Sequence, residues 1–334
     1  MNVVGYIAVG TYARTGAVHQ FAVKYGMDDS GEGTWSIDHQ ASTEIGCSVK
    51  CLAHCPERKS IIAGDDRGSI HMLNMHKDDS DTMELHSDAI TSLSVRGNSI
   101  LAAAADGNIA IVDVENGLID HVTTKSPSRR IYPSLAAHPS GRLALSVNGG
   151  RVLTMWDLEH KKSALTVKLD RARYNDVQFV YFPVEEGGEP AAEPNAAVSL
   201  CRESVDVYSL ADNFSVPTFS LEVPTGGLWT CMHVCGGTIY VGDSLGNIHV
   251  VRGTLEDIDV AVQRCHRHRV NTIQTFPLND GAGTHTMVVS TDSFSVTDSG
   301  VALWVDGGEA EEPLMGLADA EIPAKVLAAM ACSA

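Results

Sequence analysis

The segment Arg151–Leu165, RVLTMWDLEHKKSAL, holds the one Trp-Asp pair in the chain, and its pattern recurs. An apolar strand, a small-residue turn and a second apolar alternation return in Ile61–Met75, Ile100–Val114 and Ile239–Val251, with Leu73, Val112 and Val251 at the Trp156 position. Weaker copies end at Phe21, Tyr208 and Trp304. The seven anchors 21, 73, 112, 156, 208, 251 and 304 are separated by 52, 39, 44, 52, 43 and 53 residues. A four-stranded propeller blade takes about 40–45 residues. The longer intervals contain insertions such as Tyr25–Gly33 and the acidic Pro183–Pro194, PVEEGGEPAAEP.

A second pattern precedes the hairpins: Ile90, Leu93, Val95; Tyr132, Leu135, Ala137; Tyr174, Val177, Phe179; Val270, Ile273, Thr275. This is the pattern expected of the inner strand of a blade. Period-two alternation, glycine turns and the absence of amphipathic helices indicate an all-β chain. Seven four-stranded sheets around an axis leave only short, protected edges. The expected architecture is therefore one seven-bladed β-propeller spanning residues 1–334, with an acidic loop insertion at 183–194. Phe21 comes too early for a complete first blade, so an inner strand is missing from it. The apolar segment Lys325–Ala331, KVLAAMA, is expected to supply that strand and close the ring by pairing N- and C-terminal strands. Its Ala, Leu, Met and Lys content also suits a helix.

The net charge of −18 argues against non-specific nucleic-acid binding and favours basic protein partners. The N-terminal residues MNVVGYIAVGTYARTG lack a basic region ahead of their apolar stretch and do not read as a signal peptide. No apolar run approaches the roughly 18 residues of a membrane span. Eight cysteines without a secretory signal read as reduced thiols.

HPSGRLALSV (His138–Val147), followed by RVLTMWDLEHKKSAL, resembles the fourth repeat of a WD-repeat family. That family contains the PAK-interacting protein of animals and the yeast maintenance-of-killer protein. Ala105–Gly117 resembles its preceding repeat, Ala8–Val23 its N-terminal strand pair, and HRHRV (His266–Val270) the opening of its last repeat. The resemblance implies a non-catalytic scaffold in assembly of the large (60S) ribosomal subunit, in the nucleolus or nucleus. The implied partners are the pre-60S particle, basic ribosomal proteins or assembly factors, and local rRNA. A signalling adaptor that restrains a p21-activated-type kinase is the alternative. The long Lys-rich C-terminal tail common in that family is not part of this sequence, which departs from the pattern there and in its added insertions.

Candidate chemistry is sparse. Cys47, Cys51 and Cys55 stand four apart, and on a strand such residues lie roughly 13 Å apart, too far to share one zinc ion. Cys231, His233 and Cys235, and Cys265 with His266 and His268, fail similarly, so no metal or cofactor site is expected. His266, Ser290, Asp298 and Trp304 contain a Ser, a His and an acid but no nucleophile elbow. In WD repeats such a quartet is a structural network in which Asp orients His, His meets Ser, and Ser meets the indole nitrogen. What remains is surface. Arg129, Arg130, Arg171, Arg173, Arg264, Arg267 and Arg269 precede inner strands, on loops near the channel. They are either a face for phosphate or acidic peptide or simply solvated. Trp229, beside Gly226 and Gly227, is either a hot spot on the same face or core.

Overall fold

The computed structural model describes residues 2–11, 16–27, 33–74, 80–123, 134–148, 151–171, 174–279, 284–292, 301–306, 315–316 and 327–333. Its strands form seven four-stranded antiparallel sheets. Strands are lettered a to d from the channel outward. Blade two is typical, with a at Val49–Cys55, b at Ser60–Asp65, c at Ser69–Asn74 and d at Ser80–Glu84. Blades three to seven have their a strands at Ile90–Arg96, Ser134–Ala137, Tyr174–Val180, Trp229–Cys235 and Val270–Asn279. Tyr132, placed by its sequence pattern on the blade-four inner strand, lies outside the described residues.

In blade one the sheet order places Leu327–Ser333 beside Asn2–Thr11, followed by Ala17–Met27 and Gly33–Glu44. The C-terminal strand runs antiparallel to the N-terminal one, with Ile7 opposite Cys332 and Val9 opposite Met330. It packs beside the inner strands of blades two and seven.

The b strands are apolar over most of their length because both of their faces are buried. In SIIAGD of blade two, Ile61 and Ala63 pack with Ala8 and Val18 of blade one, whereas Ile62 packs with Ile90 and Ile100 of blade three. Side chains alternate across a strand, so successive residues serve opposite seams. The anchors follow a rule of their own. Leu73, Val112, Trp156, Tyr208, Val251 and Trp304 all lie on c strands, and each packs in the seam toward the preceding blade. Phe21 occupies the matching strand of blade one and is fully buried.

Polar side chains on the inner strands stitch the seams where the strands splay. Ser92 Oγ meets the Leu135 backbone, and the Ala137 N–H donates to Ser94 Oγ at 3.0 Å. Ser134 reaches Asp176 at 2.6 Å. Gln178 donates to the Met232 carbonyl at 3.1 Å and accepts from the Val234 N–H at 2.9 Å, behaving as an extra strand edge between blades five and six. Thr230 reaches the Val270 carbonyl at 2.6 Å, and His233 meets Thr275 at 3.0 Å. The serine, glutamine and Thr230 contacts to main chain satisfy backbone polar atoms that no ladder reaches, and the Ser134–Asp176 and His233–Thr275 contacts pair part-buried side chains with each other.

Candidate partner-binding face

The loops that run from d to a strands share one face of the propeller with the b–c turns. Antiparallel order puts the a–b and c–d loops on the other. The acidic insertion at 183–194 leaves blade five between its a strand and its b strand, Ala196–Cys201, and so lies on that second face, with Glu185, Glu186 and Glu189 exposed.

On the first face, blades two and six repeat one device. Their b–c turns read GDDRGSIH (Gly64–His71) and GDSLGNIH (Gly242–His249). Asp65 Oδ1 accepts the N–H groups of Arg67 and Ser69, both at 2.8 Å. Asp243 Oδ1 accepts those of Leu245 and Asn247 at 2.8 and 2.9 Å. Burial opposes the charge on Asp65, but hydrogen bonds from His71, Ser69, Cys47 and Arg67 outweigh it and hold the carboxyl well below its usual range. The turn glycines, Gly68 and Gly246, both have φ +95°, and each lies against the d–a loop of the next blade. A Cβ there would fall 2.2 Å from the carbonyl oxygen of His86 or His266, so only glycine fits. The Gly68 carbonyl accepts the N–H groups of Leu85 and His86, and the Gly246 carbonyl those of Cys265 and His266.

These two loops are thus built alike, but their exposed residues differ. After His86 come Ser87, Asp88 and Ala89; after His266 come Arg267, His268 and Arg269. The backbone does not require cations at these positions, because blade three holds the same loop without them. Arg264, Arg267 and Arg269 are exposed and, with His268, Leu245, Ser244 and Asn247, line a shallow depression of about 590 Å³. Leu245 is 42% exposed and Leu228 44%, and the Leu228 N–H donates to Ser244 Oγ in the same turn. An apolar pair therefore borders the cationic loop.

The other residues assigned to this face from sequence divide three ways. Arg171 is tied to Glu222 by a two-pronged ion pair within blade five. Arg129, Arg130 and Arg173 lie outside the described residues. Trp229 requires a correction: it is 2% exposed and sits in the seam between blades five and six, edge-on to His249 with ring centroids 4.6 Å apart. It opens the inner strand, where its ring turns into the core, and it is not a surface hot spot.

The blade-seven quartet is partly assembled. His266 Nε2 meets Ser290 Oγ at 2.7 Å. Asp298 lies outside the described residues, and a carboxylate of Asp292 stands 3.6 Å from His266 Nδ1. The Ser290–Trp304 bond expected from sequence is not formed: the indole nitrogen of Trp304 has no hydrogen-bond partner among the described residues, and its ring packs edge-on against Tyr240. The Trp–Ser contact occurs in blade four instead, where Trp156 donates to Ser146 at 2.8 Å.

The central channel encloses about 550 Å³ and is lined largely by uncharged polar side chains such as Thr91, Ser92, Asn271 and Gln274. Cys51 and Cys231 face it, and burial pushes both thiols up to about 12. Among the described residues, no helix is long and apolar enough to cross a membrane.

No family profile and no curated protein matches this chain. Among solved structures, a WD40-propeller chain of the Mitotic Checkpoint Complex crystal structure superposes with a TM-score of 0.62 at 15% identity, covering 85% of this chain and 83% of that one. The chain is a seven-bladed propeller of the WD40 shape. At that identity the likeness is one of fold, and fold alone does not assign a function.

Proposed function

We propose that the protein is a non-catalytic interaction scaffold whose rim between blades six and seven docks an acidic segment of a partner protein through an apolar anchor. One observation carries this reading: a loop that blade three builds with Ser87, Asp88 and Ala89 carries Arg267, His268 and Arg269 in blade seven, beside exposed Leu245. Guanidinium groups suit bidentate pairing with carboxylates. An apolar contact ringed by charge is the usual anatomy of a binding hot spot. The repeat-by-repeat resemblance supports a setting in maturation of the large ribosomal subunit in the nucleolus. The net charge of −18 supports basic ribosomal or assembly proteins as partners for the remaining surface, including the acidic insertion.

The experiment follows tagged protein on a density gradient, comparing the native chain with Arg264→Glu/Arg267→Glu/Arg269→Glu. The native protein should travel with large-subunit precursors and come away with assembly proteins. The triple variant should melt normally and move to the light fractions. Absence of the native protein from precursor fractions sinks the ribosomal setting, and recovery of a kinase in its place would favour the adaptor reading. Co-sedimentation that is indifferent to charge reversal moves the docking surface to the opposite, acidic face.

A further inference from the structure

The three cysteines spaced four apart around blade two separate in the fold. Cys51 lines the channel and Cys55 packs into the seam toward blade three. Cys47, on the connector from blade one, turns the other way and meets the Asp–His pair of the b–c turn. Its Sγ lies 3.1 Å from Asp65 Oδ2 and 3.9 Å from His71 Nε2, and His71 Nε2 lies 3.0 Å from the same carboxylate oxygen. All three residues are buried.

That triangle has the dimensions of a metal-binding face. Zinc bonds of about 2.0–2.3 Å to N, O and S place neighbouring donors of a tetrahedron about 3.3–3.7 Å apart. The measured edges of 3.0, 3.1 and 3.9 Å bracket that range. The far nitrogen of His71 is already oriented, with Nδ1 3.0 Å from Thr82 Oγ1. In the free turn the imidazole proton sits on Nε2 and is donated to Asp65; on metal binding it moves to Nδ1, where the Thr82 hydroxyl accepts it, and the Nε2 lone pair is freed for the ion, the outer arrangement common to metal-bound histidines.

Blade six supplies the internal control. There the same turn and the same pair, Asp243 Oδ2 and His249 Nε2 at 3.1 Å, are completed by Asn247 Nδ2 at 2.8 Å from the carboxylate, with Trp229 packed on the imidazole. The turn therefore holds without sulfur. In blade two, Val49 takes the register position of Trp229, opposite the aspartate, and a cysteine reaches the pair.

We propose that Cys47, Asp65 and His71 bind one divalent transition-metal ion of the zinc type through Sγ, Oδ2 and Nε2. The fourth position is left to water or to a group brought by a partner. Binding displaces the thiol proton to solvent and pins the blade-one connector to the blade-two turn. Thiolate and imidazole together select zinc or cobalt over magnesium or calcium.

The test is titration of the chelator-treated full chain with Co²⁺, followed by Zn²⁺. About one equivalent of cobalt should bind, giving tetrahedral ligand-field bands and a sulfur-to-metal charge-transfer band that zinc bleaches. Cys47→Ser should lose the charge-transfer band, Cys51→Ser should keep it, and Thr82→Val should weaken binding about 10-fold. A native chain that gives no charge-transfer band overturns the site, whatever the variants do. So does a band that survives in Cys47→Ser.

Discussion

Ser134 of blade four donates a 2.6 Å hydrogen bond to Asp176 Oδ1 of blade five, across a seam that no backbone ladder crosses. The carboxylate also accepts the Val177 N–H and the Gln178 amide, and Gln178 in turn holds the backbone of blade six. Burial nevertheless pushes the Asp176 carboxyl above its usual range, so each donor offsets part of a desolvation cost. Ser134→Ala removes one donor and leaves the carboxylate short of partners. The expected loss is about 1–3 kcal/mol in urea unfolding. An unchanged midpoint would mean that solvent in the channel replaces the serine.

The two c-strand tryptophans should respond differently to the same change. Trp156→Phe breaks the bond to Ser146 and should cost about 1–2 kcal/mol beyond lost packing. Trp304→Phe deletes a buried N–H that has no partner among the described residues, so its loss should be the smaller of the two. Paired denaturation curves decide this. A larger loss at Trp304 would show that its nitrogen is bonded in solution.

Removing residues 327–334 should destabilise the whole propeller, because Asn2–Thr11 would become an open sheet edge. The expected result is a lower and broader thermal transition together with self-association on size-exclusion chromatography. Identical melting of truncated and full chains would show that the ring does not depend on the C-terminal strand.

His233, in the seam between blades six and seven, gives stability an acid limb. Burial holds its imidazole down to about 4, against about 6.5 in the unfolded chain. The folded pKa is the lower one, so the unfolded state binds the proton more readily. Its contribution is complete above about pH 6.5 and is lost as pH falls toward 4. His233→Gln should flatten that limb by about 1–3 kcal/mol between pH 7 and 4.5, measured against the native chain. Parallel pH profiles for the two proteins would show that this imidazole does not titrate with folding.

The spacing of Phe21, Leu73, Val112, Trp156, Tyr208, Val251 and Trp304 determined the number of blades, and period-two alternation marked the chain as all-β. Both properties repeat locally along the chain, so a linear reading reaches them. The seam partners Ser92–Leu135 and Ser134–Asp176 stand 43 and 42 residues apart, about one blade, and follow the same repeat. Only the tertiary structure decided the orientation of individual side chains at blade ends. Trp229 could be surface or core until the seam between blades five and six fixed its rotamer. Trp304 and Trp156 stand in like registers, opposite Val288 and Ala144, yet only Trp156 reaches its serine. Cys47 lies 18 and 24 residues from Asp65 and His71, on three different elements, and the sequence marks that meeting only by the repeated Gly-Asp turn. The cationic rim was visible as arginines before inner strands. Its meaning came from the matching loop in blade three, because two loops can be compared position by position only once the backbone has superimposed them.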